Sequence, residues 1–243
     1  MKVRFLGSGD AFGSGGRFQT CIHLESGEAQ VLVDCGASSL IAMRRFGVDP
    51  LAIDAVLLSH LHGDHFGGVP FLILDGQFTR RTRPLVVVGP PGVEARVLEA
   101  MEVFFPGSSR IPRRFDVSFA ELADRVTLPL ASISVTPFGV VHASGAPPFA
   151  LRVAGNGKIV AYSGDTEWAD SLIEAARGAD LFIAEAYFFD KTVPFHLDLA
   201  TLLRHRSRLD CRRLIVTHMS EDMLRRRDAL DVETAEDGKV VDV

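Results

Sequence analysis

The order of elements predicts an α+β fold, a four-layer αββα sandwich of two mixed β-sheets flanked by helices. Three observations lead there. Strand and helix signals alternate through the first hundred residues and again after residue 167, whereas residues 126–160 read mostly as strands. Hydrophobic residues make up 47% of the 243, the content of a chain that folds around a large core. No Gly-, Ser- or Pro-rich linker, low-complexity segment or short-period repeat interrupts the chain, so residues 1–243 are expected to form a single domain.

Each element has a local reason. Residues 2–6, 21–24 and the apolar run 29–33 read as strands, the last closed by the turn Asp34-Cys35-Gly36. Ser38 or Ser39 can cap a helix over 40–46, because a serine oxygen accepts from the free amides of a first turn; Gly47 and Pro50 stop it. The run 55–58 is a buried strand, 69–77 a short helix and 85–88 a strand. An amphipathic helix over 93–104 starts after Pro91-Gly92 and ends at Pro106-Gly107. Asn156-Gly157 tolerates the left-handed backbone of a tight hairpin and joins strands 150–153 and 159–162. A helix over 167–177, a strand over 181–184, a helix over 199–206 and a strand over 214–217 follow. A charged helix near 221–227 and a strand over 239–241 end the order.

Composition narrows the function. Lys and Arg number 26 against 31 Asp and Glu, a net charge of −5, where a nucleic-acid-binding module usually carries a basic excess. The arginine clusters at 80–83, 110–114, 204–213 and 225–227 read as solvated faces. No apolar run approaches the roughly 20 residues that span a bilayer, so no membrane partner is expected. The N-terminus reaches Gly7-Ser8-Gly9-Asp10 before a secretory stretch could form. Cys21, Cys35 and Cys211 form no CxxC and read as reduced thiols, so a cytoplasmic location is expected.

The chemistry concentrates in Ser59-His60-Leu61-His62-Gly63-Asp64-His65, three imidazoles and a carboxylate at the end of an apolar strand. His60 and His62, two apart, can point one way on extended backbone, while Asp64 and His65 fall on the next turn and reach a neighbouring point. One loop can thus serve two metal ions, neutral imidazole suiting zinc or iron and a carboxylate adding charge. His142, Asp165 and His218 each follow an apolar segment, where a sheet can fix them. Of eight histidines, five fall among these candidates, which makes the set more telling than any lone histidine after a strand.

These residues resemble the metallo-β-lactamase superfamily, marked by the His-x-His-x-Asp-His loop and later single His, Asp and His ligands. Within it the likeness is to ribonuclease Z-type phosphodiesterases, from Phe5-Leu6-Gly7-Ser8-Gly9 through Val33-Asp34-Cys35-Gly36 and Tyr162–Thr166 to Thr217-His218-Met219-Ser220. The resemblance implies the metallo-β-lactamase fold, with the metals at one sheet edge. It implies that His60, His62 and His142 hold one ion, that Asp64, His65 and His218 hold a second, and that Asp165 bridges both. The implied cofactors are two divalent ions, usually Zn2+, with Mn2+ or Fe as alternatives; a metal-bridging hydroxide would be the nucleophile, which Asp64 can orient. Asp34 matches a carboxylate that holds ligating imidazoles in position. Glu185, in Ala184-Glu185-Ala186-Tyr187-Phe188, matches a glutamate supporting the non-ligand His196, which can stabilise charge or protonate a leaving alkoxide.

The departures point to the substrate. Leu197 and Asp198 stand where the tRNA-processing enzymes usually have Ser and Thr, and a carboxylate there disfavours an anionic backbone unless it points away. Residues 104–118 are too few for the long basic arm that grips tRNA, and 143–149 lack the expected Gly-Tyr. The expected substrate is therefore a small-molecule or small nucleotide-type phosphodiester rather than a long tRNA, its specificity set by loops such as 76–83 and 105–115. Lactones, thioesters, sulfate esters and β-lactams are the alternative on the same centre, and a non-catalytic binding member is a third reading. The apolar residues Phe71-Leu72-Ile73-Leu74 and Phe104-Phe105 offer a face for a homodimer, as in ribonuclease Z relatives.

Overall fold

The computed structural model describes residues 1–243. The first half runs β1 (Lys2–Gly7), β2 (Cys21–Ser26), β3 (Ala29–Val33), α1 (Ser39–Arg45), β4 (Ala55–Leu57), α2 (Gly63–Phe66), α3 (Val69–Phe78), β5 (Leu85–Gly89), α4 (Val93–Phe104) and β6 (Val117–Glu121). The second half runs β7 (Leu128–Leu130), β8 (Ile133–Gly139), β9 (Phe149–Gly155), β10 (Lys158–Tyr162), α5 (Ser171–Ala176), β11 (Ala179–Glu185), α6 (Leu199–Arg204), β12 (Cys211–Thr217), α7 (Glu221–Arg226), β13 (Glu233–Thr234) and β14 (Val240–Asp242). No helix is long and apolar enough to cross a membrane.

The strands form two seven-stranded sheets, ordered β14-β1-β2-β3-β4-β5-β6 and β13-β12-β11-β10-β9-β8-β7. Both are mixed, as expected: pairing is antiparallel from β14 to β3 and from β7 to β10, and parallel from β3 to β6 and from β10 to β13. The last strand crosses back to the first sheet, where Val240 pairs with Arg4.

Three apolar layers separate four structural ones, which is what a sandwich with helices on both outer faces requires. The inner layer lies between the sheets and includes Phe5, Ile22, Leu57, Leu151, Ile183 and Ile215. Alternate residues of the same strands point outward, because successive side chains of a strand face opposite sides. Leu6, Leu32, Val56 and Val87 thus meet Met43, Ile73 and Met101 of α1, α3 and α4, and Ala161, Phe182 and Val216 meet Leu172, Leu202 and Met223 of α5, α6 and α7.

Three expectations change. Helix α1 starts after Ser38 without a side-chain cap, because the Ser38 oxygen accepts from Gln19 N–H at 2.8 Å instead. The helix placed at 167–177 is only Ser171–Ala176, because the amides before it are committed elsewhere: Thr166 N–H donates to Glu185 Oε2 at 2.8 Å and Glu167 N–H to the carbonyl of Val141 at 3.2 Å. Strands β6 and β13 and the one-turn helix α2 add to the expected elements; β6 is an edge strand whose residues are all partly or fully exposed, so it lacks clean alternation. The Asn156-Gly157 turn is present, with φ of +51° and +70°.

Candidate metal centre

Five strands deliver the candidate residues to one end of the sandwich. β4 leads to His60, β8 to His142, β10 to Asp165 and β12 to His218, while Glu185 is the last residue of β11. Parallel pairing of β10, β11 and β12 puts their C-terminal ends side by side. The strand geometry ends before the histidine loop: His60 and Leu61 are irregular, and Asp64 and His65 sit on the short helix α2.

That loop packs against residues 34–36 so closely that only glycine fits there. A Cβ on Gly36 would lie 2.3 Å from the carbonyl oxygen of Asp64. Asp34 itself has φ +57°, a strained setting that aims its carboxylate inward. Fully buried, it accepts from Ser59 N–H at 2.7 Å, from Ser59 Oγ–H at 2.8 Å and from His65 Nδ1–H at 2.7 Å. The Ser59 oxygen, its proton committed to Asp34, accepts from His60 Nδ1–H at 3.0 Å. One carboxylate therefore holds a proton on Nδ1 of two imidazoles and turns Nε2 of each to the site.

His142 is fixed differently. Its Nδ1–H donates to the backbone carbonyl of Phe195 at 2.8 Å, and Phe195 is itself left-handed at φ +69°. Its Nε2 lies 3.1 Å from Nδ1 of His62, and the donor atoms of His60, His62 and His142 all fall within 4.8 Å of one another. The donor atoms of Asp64, His65, Asp165 and His218 form a second group of that size. There Asp64 Oδ2 lies 3.1 Å from His65 Nε2 and 3.3 Å from His218 Nε2, and Asp165 Oδ2 lies 3.3 and 3.4 Å from the same two atoms. Asp165 Oδ2 also lies 3.9 Å from His60 Nε2, so this carboxylate stands between the two groups.

The electrostatics call for positive charge. Burial opposes a proton on His65, but Asp165, Asp64 and Asp34 outweigh it and raise its pKa well above the ordinary range. Burial likewise opposes charge on His218, which Asp165 and hydrogen bonds to Asp64 and Glu185 push up to about 10. Burial would raise both Asp64 and Asp165, yet His65 and His218 hold each well below the usual carboxylate range. His60, by burial and then by its neighbour His65, is held neutral. Protons on His65 and His218 thus do the neutralising that a bound cation can do.

A divalent ion fits this donor set. His60 Nε2, His65 Nε2 and Asp165 Oδ1 are buried and make no hydrogen bond, which is costly unless something else ligates them. The donors are imidazole and carboxylate, the types suited to zinc and similar cations. A third grouping, Asp165 with Glu185, His196 and His218, is not a comparable site. Glu185 is fully buried and already accepts from Thr166 N–H at 2.8 Å, from Leu197 N–H at 3.3 Å and from His196 Nδ1–H. His196 is thereby oriented rather than ligating. Burial lowers its pKa, but the bond to Glu185 and that carboxylate's charge outweigh burial and raise it.

The cleft over these residues holds about 200 Å³ and is lined by Ala11, Phe12, His62, Asp64, His142, Asp165, Tyr187, His196 and His218. Two larger clefts, of about 480 and 360 Å³, open at the opposite end of the sheets, around Ala29, Asp54 and Arg83, and contain none of the metal-ligand candidates. Residues 76–83 and 105–115, expected to shape specificity, do not line the site. Arg81 is 3% exposed and donates to the carbonyls of Pro50, Arg83 and Pro84 at 3.0, 2.6 and 2.7 Å. The rim belongs instead to the loop after β1 and to Tyr187. Asp198 points away from the cleft: its carboxylate caps α6, accepting from Thr201 N–H at 2.7 Å and from the hydroxyls of Thr201 and Thr192 at 2.8 and 3.1 Å.

The sequence model of the Beta-lactamase superfamily domain matches residues 29–219. The chain belongs to the metallo-β-lactamase superfamily. Within that superfamily it is similar to ribonuclease Z of Agathobacter rectalis, at 27% identity over 94% of this chain and 90% of that protein. The solved structure of human tRNase Z, short form, superposes with a TM-score of 0.81 at 24% identity, covering 100% of this chain and 99% of that one. A diphosphatase from the PhnP family superposes at 0.78 with 18% identity, covering 100% and 97%. These two neighbours show that this metallo-β-lactamase fold carries hydrolases of different substrates, so the scaffold alone does not name the ester.

Several participants carried no clear sequence signal. Ser59 was legible only as a neighbour of His60, and Phe195 acts through its carbonyl, which its side chain cannot announce. Thr166 holds two elements together, its Oγ1 accepting from Val141 N–H at 3.0 Å and its amide binding Glu185.

Proposed function

We propose that residues 1–243 form one hydrolase domain, a dinuclear metal-dependent phosphodiesterase. Two observations support it: relatives named ribonuclease Z, and the Glu185–His196 pair set beside the two ligand groups. In this reading His60, His62 and His142 hold one divalent ion, Asp64, His65 and His218 a second, and Asp165 both. Such ions, zinc in the first instance, supply Lewis acidity and an activated water at neutral pH.

The chain's own groups do the rest. Asp34, directly for His65 and through Ser59 for His60, keeps both imidazoles in the ligating tautomer. Asp64, which lines the cleft, can also orient the attacking water by accepting a hydrogen bond from it. His196, held through Nδ1 by Glu185, turns Nε2 to the cleft, where it can donate a hydrogen bond to a phosphoryl oxygen or a proton to a leaving alkoxide. Its ring lies parallel to that of His218, with centroids 6.1 Å apart, so acid and ligand share one wall.

The substrate fits a small-molecule or small nucleotide-type diester better than a long tRNA. The segment 105–115 is short and folded onto α4, where the Glu102 carboxylate accepts from the amides of Gly107 and Ser109 at 2.8 and 3.2 Å. Most of the arginines in the four clusters are committed to carbonyls or carboxylates, as in Arg213 with Glu233 at 2.7 Å and Arg227 with Glu236 at 2.9 Å. A homodimer through α3 and α4 is part of the proposal, because Phe78, Val103 and Phe104 are 79%, 71% and 48% exposed on that face. A cytoplasmic location accords with three free thiols, two of them buried.

The test is metal content together with hydrolysis of bis(p-nitrophenyl) phosphate. About two ions per chain, with activity abolished in Asp64→Ala, is the expected result. Two ions without phosphodiester cleavage, but with turnover of a lactone, thioester, sulfate ester or β-lactam, would refute the phosphodiesterase reading and leave the metal centre standing.

A further inference from the structure

The loop 10–16 carries the most exposed large apolar side chain of the molecule, Phe12 at 84%. An exposed phenylalanine on a loose loop would mean little, but this loop is tied down. The Asp10 carboxylate, 1% exposed, accepts from the amides of Phe12 and Ser14 at 3.2 and 2.9 Å and from the Ser14 hydroxyl at 2.8 Å. The Ala11 carbonyl accepts from Gln19 at 3.1 Å, and Gly15 N–H donates to Glu221 of α7 at 2.8 Å. Gly13, Gly15 and Gly16 all sit in the left-handed region, so the backbone path is one that side chains would resist.

Phe12 is held at the rim of the metal-ligand cleft and lines it together with Tyr187. The two aromatics differ in what their faces do. The Tyr187 ring is already packed on His196, with centroids 4.8 Å apart, and lies 5.9 Å from His218. Phe12 pairs with no aromatic ring and sits under no cation. The cleft holds about 200 Å³, below the roughly 300–1,000 Å³ of pockets that enclose a whole small ligand. A phosphoryl group fits inside, and the rest of an ester must lie across the rim.

We propose that Phe12 is a specificity-determining residue, a fixed platform on which a planar aromatic ring of the substrate, a nucleobase or an aryl group, stacks while the phosphodiester enters the cleft. The inference rests on the phosphodiesterase reading above. Every ring has a π-face, so stacking selects aromatic over alkyl esters without reading which base is present.

The experiment compares three substrates that share a leaving group, p-nitrophenolate, and differ in the group retained on phosphorus: thymidine 5′-(p-nitrophenyl phosphate), phenyl p-nitrophenyl phosphate and methyl p-nitrophenyl phosphate. Wild type is expected to favour an aromatic ester over the methyl ester in kcat/KM. Phe12→Ala is expected to reduce that preference about tenfold or more, largely in KM, with metal content equal to wild type, and Phe12→Trp to keep it. A preference for the thymidine ester alone assigns the ring to a nucleobase, and equal preference for the phenyl ester assigns it to any aryl group. The proposal is overturned if wild type shows no preference, or if Phe12→Ala leaves the ratio unchanged. Metal-loaded wild type inactive on all three esters would overturn the phosphodiesterase reading and this inference with it, a result visible before any variant is made.

Discussion

Replacing Asp34 with asparagine tests how the fold sets the protonation of its ligands. The new side chain is isosteric, so the effect comes from one charge and one pair of protons. Asp34 Oδ1 accepts from Ser59 N–H, and Oδ2 accepts from Ser59 Oγ and His65 Nδ1. In the Asp34→Asn protein the amide keeps its oxygen toward the Ser59 N–H, because that donor cannot reverse. The amide NH2 then faces Ser59 Oγ and His65 Nδ1. The serine hydroxyl can rotate and accept, but His65 must present a lone pair at Nδ1 and carry its proton on Nε2, the atom that faces Asp64 and Asp165. One candidate metal ligand is thereby blocked in the Asp64, His65, His218 group, while His60 keeps its bond to Ser59. Loss of such a supporting hydrogen bond costs about 10- to 100-fold in metal affinity, or about 1.4–2.8 kcal/mol. The assay is a two-site metal titration against a competing chelator, combined with long-range ¹H–¹⁵N spectra that report imidazole tautomers. The expected outcome is one weakened site, one unchanged site and a His65 signal switched to the Nε2–H form. A folded Asp34→Asn protein that binds both ions with wild-type affinity, or keeps the Nδ1–H tautomer at His65, would refute the reasoning.

His196→Ala should slow esters with poor alkoxide leaving groups at least tenfold more than p-nitrophenyl esters, since p-nitrophenolate departs with little protonation; a uniform loss across a leaving-group series would argue against proton donation by His196. Gly36→Ala should destabilise the chain by about 1–3 kcal/mol and lower metal content, because its Cβ would meet the Asp64 carbonyl at 2.3 Å; urea unfolding and metal analysis measure both. Glu233, bonded to Arg213 and Lys239, has its pKa lowered to about 2, first by the hydrogen bond to Arg213. A depressed carboxylate stabilises above its unfolded value of 4.5 and loses that contribution as pH falls toward 2. About a third of the side chain is exposed, so screening limits the effect to about 0.5–1 kcal/mol. Glu233→Gln should therefore lower the urea midpoint at pH 7, and the gap from wild type should narrow as pH is lowered from 5 to 3.

How far the sequence led depended on whether a residue acts through its side chain and next to its neighbours. His60, His62, Asp64 and His65 are contiguous, so their chemistry was readable before their geometry. His142, Asp165 and His218 were readable because each follows an apolar strand, and the strand ends are where the structure places them. The layer order was legible for the same reason, since apolar runs and turn residues bounded most strands. The helix over 167–177 was overextended because hydrogen-bonded commitments of Thr166 and Glu167 to distant strands leave no trace in local periodicity. The role of Asp198 was equally hidden: its capping of α6 depends on Thr192 and Thr201 closing around it, and the cap turns a charge that would repel an anionic ester away from the cleft.

That contrast explains why the reaction class is easier to read than the substrate. The proposed catalysis needs particular side chains at fixed points, and the sheets supply those points as strand ends, a pattern with a sequence signature. Substrate choice depends on what stands at the rim, and the rim is built by residues far apart in the chain. Phe12 comes from the loop after β1, Tyr187 from the segment after β11, and the loop carrying Phe12 is held to α7 by Glu221. The same anchoring that makes Phe12 a rigid platform comes from the Asp10 carboxylate and three left-handed glycines, features that read locally as an ordinary polar turn. Metal binding and substrate selection should accordingly be separable: Phe12 offers no donor atom to either ligand group, and changes there should alter which ester is cleaved while leaving the ion content of the centre as it is.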